Sequence, residues 1–301
     1  MGDGQIRILS QISKYRGRKR TKFKEEAEKE VSLIEFQEDQ MGTEKEEGAV
    51  GGQVETKEQR EPRSTRAKKK LITININGLN SAVKRKTFHK LEKSKFDIIC
   101  LQEVHIKKQH EQLLVQPKLG KIFTSLTQCK KRGVVLYIKE TTPAKLIYND
   151  EDGRVLMVEI MDNNMKTLLI AIYAPNDKQE FYKKLHMKLI ELDYANIVMI
   201  GDFNGIADNK LDYTATTTKQ NRKILPKSFF KMAEELNLKD TWRERNAKTK
   251  QYTFYSNRHL SWSRIDMIWM STELLSNIQE VNIETSTWAD HNPMTSSYLT
   301  L

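Results

Sequence analysis

The run Ile197-Val198-Met199-Ile200, halted by Gly201-Asp202-Phe203-Asn204, constrains this chain more than any other stretch. Four consecutive apolar residues suit a β-strand covered on both faces, and in layered α/β folds sites form just beyond the ends of such strands. Asp202 and Asn204 stand two residues apart. In extended backbone their side chains share a face, so both can meet one water or phosphate oxygen. A strand followed by an ordinary Asx-type turn is spelled the same way, and this stretch alone does not choose between the two. Support has to come from the rest of the chain.

Residues 1–70 carry 17 Lys and Arg against 14 Asp and Glu, with Tyr15, Phe23 and Phe36 as their only aromatic residues and no sustained apolar period. Such a segment cannot bury enough apolar surface to offset its ordering entropy, and it is expected to be a disordered, charged tail. Its basic clusters, Arg16-Gly17-Arg18-Lys19-Arg20 and Arg66-Ala67-Lys68-Lys69-Lys70, read as nuclear-import or phosphate-contacting sequence, or as plain solvated charge.

The pattern changes at Leu71. Residues 71–78 alternate apolar with polar side chains and end on Gly78, a strand running into a turn. Ser81 is placed to cap a helix bearing Val83, Phe88 and Leu91. Residues 97–101 form a second buried strand, which ends on Gln102-Glu103, and a short helix over 112–115 follows. Runs at 134–138, 145–148, 155–160 and 167–173 are four successive β candidates without an intervening helix, which predicts an antiparallel portion of sheet. Past Ala174-Pro175-Asn176, helical spacing of Phe181, Leu185, Leu189 and Leu192, and then of Phe229, Phe230, Met232 and Ala233, predicts amphipathic helices over 178–192 and 225–236. Further β candidates at 252–254, 265–269, 278–284 and 294–299 repeat this order. Two sheets packed face to face with helices outside account for it, an α/β sandwich beginning near residue 71.

Composition narrows the partners. A chain of 301 residues, 38% hydrophobic and 30% charged, holds one good-sized globular domain plus a polar segment. Cys100 and Cys129 make no disulfide framework and no zinc-finger spacing, as expected of a reducing compartment. No apolar run approaches the about 18 residues of a membrane helix, and the N-terminus has no secretory apolar core, so a soluble intracellular protein is expected. A net charge of +11 favours polyanionic partners.

Collected from the strand ends, Asn75, Glu103, Tyr173, Asn176, Asp202, Asn204, Asp266, Asp290 and His291 recur at comparable places. A hard divalent ion takes oxygen ligands from one or two carboxylates, water and phosphate, and Glu103, Asp202 and Asp290 offer such ligands. Asn and Tyr donors suit phosphate oxygens, and a His beside an Asp suits a transition state gaining negative charge. Each residue also has a plain structural reading: a turn for Asp290, a capped strand for His291, core for Tyr173.

As an ordered set, Asn75-Ile76-Asn77-Gly78-Leu79, Leu101-Gln102-Glu103, Ile172-Tyr173-Ala174-Pro175-Asn176, Gly201-Asp202-Phe203-Asn204, Tyr252-Thr253-Phe254, Arg264-Ile265-Asp266 and Asp290-His291 resemble the endonuclease/exonuclease/phosphatase superfamily. Within it the pattern is similar to the apurinic/apyrimidinic-type endonucleases, and most closely to the endonuclease domain of LINE-type retrotransposons. The resemblance covers nearly all of residues 71–301. It implies a four-layered, DNase I-like α/β sandwich of two mixed sheets, and hydrolysis of a DNA phosphodiester with Mg2+, or alternatively Mn2+. By the same resemblance Glu103 is the principal metal ligand, helped by Asn75, with Asp202, Asn204, Asp290 and His291 completing the metal site. Asp202 orients or deprotonates the attacking water beside Asn204, and His291, held by Asp266, stabilises the pentavalent phosphate. Tyr173 and Asn176 grip the phosphate. DNA is the implied partner, with no membrane and no obligate protein partner, and the nucleus is the implied location, the cytoplasm second.

Two departures stand out. Asn77 occupies a position where repair-type relatives carry Asp, so strong abasic-site activity is not expected. Ala289 replaces the Ser usual before Asp-His, which removes a supporting hydroxyl but no reacting group. A phosphatase or phosphodiesterase of the same superfamily is the alternative enzyme, and an inactive nucleic-acid-binding transposon remnant is the alternative outside enzymes. There is no Gly-x-Ser-x-Gly elbow and no Walker-type loop, and His110-Glu111 lacks the second His of a zincin. No polymerase region follows the last strand, so reverse transcription is not expected of this chain.

Overall fold

The apolar run at 197–200 lies in a strand whose two faces serve two different cores: Val198 and Ile200 point into one, Ile197 and Met199 into the other. In the computed structural model, which describes residues 67–162, 164–215, 223–286 and 289–300, this strand is β8 (Asn196–Asp202). It sits inside a six-stranded sheet ordered β10 (Leu238–Asp240), β13 (Asp266–Ser271), β8, β7 (Met165–Tyr173), β6 (Val155–Asp162) and β5 (Ala144–Asn149). A second six-stranded sheet is ordered β14 (Ile278–Ile283), β15 (Met294–Leu299), β1 (Lys68–Asn75), β2 (Ile98–Gln102), β4 (Val134–Ile138) and β3 (Lys121–Ser125). A small sheet joins β11 (Phe254–Ser256), β12 (Ser261–Ser263) and β9 (Tyr213–Ala215). Both large sheets are mixed, since β1–β2 and β7–β8 pair in parallel among antiparallel neighbours.

Apolar periodicity makes four layers of this. Leu71, Cys100, Leu136, Leu169, Ile200 and Ile268 fill the space between the large sheets. On the far side of the β1 sheet, Ile72, Ile74 and Ile99 pack against Phe88 and Leu91 of α2 (Thr87–Ser94), which follows the short helix α1 (Ala82–Arg85). On the far side of the β8 sheet, Met199 and Ile170 meet Leu185 of α3 (Gln179–Leu192) and Met232 of α4 (Lys227–Glu235). Two single-turn helices, α5 (Thr241–Arg245) and α6 (Thr272–Leu275), flank β13. The architecture is the expected DNase I-like sandwich.

Several local expectations are corrected. Most of the tail expected over 1–70 lies outside the described residues, but Lys68–Lys70 open β1. They pair with Ser297–Leu299, and the Lys69 ammonium is held by Asp162 and Thr142, partners too distant in sequence for composition to reveal. The four β runs after residue 134 do not share one sheet. β4 joins β2 and β3, and the chain crosses to the other sheet before β5, so only β5, β6 and β7 form the antiparallel succession. The short helix expected at 112–115 is a 3-10 stretch over Lys108–Leu114. Ser81 does cap, accepting from the Lys84 N–H at 3.2 Å, but the helix it starts breaks at Lys86 between α1 and α2.

Strand parity then selects what reaches the mouth between the sheets. Along β1, β7 and β8, the inward series Leu71-Thr73-Asn75, Leu169-Ala171-Tyr173 and Val198-Ile200-Asp202 each end on a polar residue. β13 runs the other way and begins with Asp266, paired across the ladder with Asp202. The segment entering β13 is pinned by a buried ion network: Arg264 binds Asp212 at 2.8 and 2.9 Å and Asp240 at 2.6 Å. Arg243 adds a contact to Asp212 at 2.5 Å.

Gly201 does not stop the strand, as its sequence position had implied; β8 continues through it to Asp202. Its φ of +135° turns the backbone so closely onto β7 that a Cβ would fall 2.0 Å from the Ile172 carbonyl oxygen. Gly201→Ala is therefore expected to destabilise the domain by roughly 2–4 kcal/mol, through backbone strain plus the displaced ladder. Urea denaturation measures this, and a midpoint equal to wild type would remove the close approach from the account.

Candidate active site

Glu103 follows β2 directly, and its carboxylate is gripped on both oxygens. Asn75 donates its amide N–H to Oε1 at 2.8 Å, and Nε2 of His105 lies 3.0 Å from Oε2. Burial pushes the Glu103 pKa upward, but hydrogen bonds from His105, Asn75 and Tyr173 outweigh it and bring the group down to about 2. Glu103 is thus ionised throughout the neutral range. The same Asn75 amide nitrogen also donates to Asp202 Oδ2 at 3.0 Å, and its carbonyl oxygen accepts from the Asn77 N–H at 3.1 Å. One buried amide therefore joins the end of β1 to the end of β8.

Asp202 is buried beside a second carboxylate, Asp266, its cross-strand partner. Burial first, and then the Asp266 charge, raise the Asp202 pKa; His291, Asn75 and the Asn204 N–H offset part of the rise. Asn204, in left-handed backbone with φ of +51°, donates that N–H to Asp202 Oδ1 at 2.7 Å and its side-chain amide to the Ala174 carbonyl at 2.9 Å. Asp266 Oδ2 lies 2.8 Å from Nδ1 of His291, while its Oδ1 is buried with no hydrogen-bond partner among the described residues. The Thr253 hydroxyl accepts the N–H groups of Ile265 and Asp266 at 3.0 and 3.1 Å, which fixes the start of β13. Phe254 bridges to His291 and lays its ring against the imidazole, centroids 4.6 Å apart.

Burial alone would lower the His291 pKa. Attraction to Asp266, with smaller help from Asp202 and Asp290, overrides it and brings the imidazole to about 9. Ligand atoms of Asp202, Asp266 and His291 lie within 4.8 Å of one another, a spacing that suits either a shared cation or a shared proton. Nδ1 of His291 is committed to Asp266, so only Nε2 could serve a cation or a phosphate oxygen.

The remaining residues divide. Tyr173, half-buried at the end of β7, donates its hydroxyl toward Glu103, and Arg154 stacks over its ring at 5.1 Å. Asn176 is exposed in the turn beyond β7, and no described hydrogen bond ties its side chain to the cluster. Asp290, one of the expected metal ligands, is exposed and accepts from Asn77 Nδ2 at 3.1 Å, and it is not in the group formed by Asp202, Asp266 and His291. Ala289 packs against the outer core beside α2, and its N–H is capped by the Ser286 hydroxyl at 3.0 Å. Sequence reading missed His105 and Arg154 as contributors, and gave Thr253 a place in the motif Tyr252-Thr253-Phe254 but no role. His105 was the most accessible of these, two residues past Glu103 and so eligible for the same side of the chain.

Comparison with known proteins bears on this geometry. The sequence matches the Endonuclease/Exonuclease/phosphatase family over residues 72–291. It is 26% identical over 232 residues to a Xenopus laevis protein named transposon TX1 uncharacterized 149 kDa protein, covering 74% of this chain and 17% of that one. The chain thus spans less than a fifth of that relative's length. Over 262 residues it is 25% identical to the DNA repair nuclease APEX1 of Danio rerio, covering 76% of this chain and 82% of the relative. The AP endonuclease LMAP from Leishmania major shares the fold with a TM-score of 0.67 at 22% identity, over 78% of this chain and 89% of that structure. The matched segment runs from β1 to His291 and so contains the whole cluster, and the chain belongs to the endonuclease/exonuclease/phosphatase family of phosphate-ester hydrolases.

Proposed function

We propose that this chain is a divalent-metal-dependent endonuclease that nicks DNA, in the manner of a retrotransposon endonuclease domain. The observation that carries the reading is an unbroken line of contacts: Glu103 to Asn75, Asn75 to Asp202, Asp202 beside Asp266, and Asp266 to His291. An ionised carboxylate stands at one end and a proton-bearing imidazole at the other, with Asp202 between them. A substrate that is a transposon-type DNA target is supported by the names of the relatives and by the +11 charge, which suits a polyanion.

The donor set fits a hard cation. Carboxylate oxygens of Glu103 and Asp202, brought together by the one Asn75 amide, would be the ligands for Mg2+ or Mn2+. When bound, such an ion supplies charge neutralisation at the scissile phosphate. Asp202, made more basic by burial and by Asp266, takes the proton of the attacking water while the Asn204 and Asn75 N–H groups hold its orientation. His291 donates from Nε2 to the phosphate oxygen that gains charge, and Asp266 keeps the ring oriented and protonated. Tyr173 and Asn176 complete the phosphate contacts.

Nicking of supercoiled plasmid, with Mg2+ and with EDTA, beside hydrolysis of a generic phosphomonoester, tests this reading. The wild type is expected to nick only with Mg2+ and to leave the monoester intact; monoesterase activity without nicking would make the protein a phosphatase, and neither activity would make it an inactive binder. Glu103→Gln keeps shape but loses charge and is expected to slow Mg2+-dependent nicking by more than about a hundredfold. An undiminished rate would remove Glu103 from the metal site.

The pH dependence follows from the signs of the shifts. Asp202 must be ionised, so activity rises through its raised pKa on the acid side; His291 must be protonated, so activity falls through about 9 on the alkaline side. Asp266→Asn removes the charge that raises both groups, so both limbs of the profile are expected to move to lower pH, with the maximal rate reduced by about a hundredfold or more. An unshifted alkaline limb in that variant would show that His291 is not the titrating donor.

A further inference from the structure

Glu103 and His105 both adopt left-handed backbone, with φ of +51° and +55°, on either side of the fully buried Val104. Non-glycine residues visit that region rarely, and two within three positions bring their side chains back toward each other. The surrounding chain is built to keep them there. The His105 N–H donates to the Arg132 carbonyl at 2.9 Å, the Val104 N–H to Gly133 at 3.2 Å, and the Gly78 N–H to the Glu103 carbonyl at 2.7 Å. Gly78 also leaves room for the imidazole: a Cβ at that position would sit 3.1 Å from His105 Nδ1. Nε2 of His105 lies 3.0 Å from Glu103 Oε2, at the distance and position of an N–H donated to a carboxylate.

We infer that His105 is the positioning residue for Glu103, presetting its carboxylate for a divalent cation by holding Oε2 while Asn75 holds Oε1. The inference rests on the metal-dependent reading above and adds to it a residue on no strand end. Freely rotating, the Glu103 side chain would have to be ordered by the ion itself, at the expense of affinity. Gripped on both oxygens, it is ordered in advance, as supporting hydrogen bonds do for metal ligands generally.

The test is Mn2+ binding by the full chain, read by electron paramagnetic resonance of the free ion, with melting temperature as a check on folding. His105→Asn keeps a side chain that tolerates left-handed backbone but is too short to reach Glu103. It is expected to weaken Mn2+ binding by about tenfold or more, and to raise the Mg2+ concentration for half-maximal nicking in parallel. His105→Gln restores an N–H at the longer reach and is expected to stay within about threefold of wild type. A His105 that merely packs the turn would lower the melting temperature and leave Mn2+ affinity unchanged, which overturns the assignment while sparing the metal reading. Equal weakening by Asn and Gln also overturns it, because the donated N–H would then not be what matters. No Mn2+ binding by the wild type would overturn the metal reading and this assignment together.

Discussion

Everything at the mouth of the sandwich depends on holding Glu103, Asp202 and Asp266 together, with His291 against Asp266. Like charges at such range repel, and burial adds a desolvation cost to each ionised group. Among the described residues, the fold meets this with directed hydrogen-bond donors. Asn75 lends one amide to two carboxylates, His105 and Tyr173 donate to Glu103, and the Asn204 N–H serves Asp202. What remains is an excess of negative charge and a buried carboxylate oxygen on Asp266 with no hydrogen-bond partner among the described residues, a condition that favours a divalent cation.

The scaffold that makes the arrangement possible is simpler than the site. Alternation along β1, β7 and β8 delivers apolar residues to the space between the sheets until the last inward position, which is polar in each case. Gly201 then lets β8 lie hard against β7, so that Tyr173 and Asp202 come into register. The other side is fixed by a second buried charge group, in which Arg264 and Arg243 answer Asp212 and Asp240 and anchor the segment that begins β13. There the charges balance. At the mouth they do not, and this imbalance separates a structural ion network from a site.

Much of this was legible in the sequence because it is written in local periods. The strand ends, the amphipathic helices and the list of polar residues beyond the strands all follow from spacing, and the pairing of Asp266 with His291, expected from the family resemblance, is present at 2.8 Å. What was not legible depends on distant partners or on backbone sign. Lys68–Lys70 look like tail charge until β15 pairs with them, and β9, β10 and β12 are too short to carry a period. Gly201 looks like a stop, and only its contact with Ile172 shows otherwise. His105 escaped because its approach to Glu103 comes from two left-handed residues, which composition does not announce. Asp290 and Asn176, given their roles by the family resemblance, are both exposed, and Asp290 accepts from Asn77.

The most direct measurement of the central claim is the thermal stability of the apo chain against the chain in Mg2+, for wild type and for Glu103→Gln. Binding to the folded state alone stabilises it by mass action, by about 2.7 kcal/mol when the ion is at a hundred times its dissociation constant. Excess negative charge at the mouth predicts a clear rise in melting temperature for the wild type and its loss in Glu103→Gln. A wild type indifferent to Mg2+, or a variant that responds equally, would contradict the claim that these carboxylates are held together for a cation.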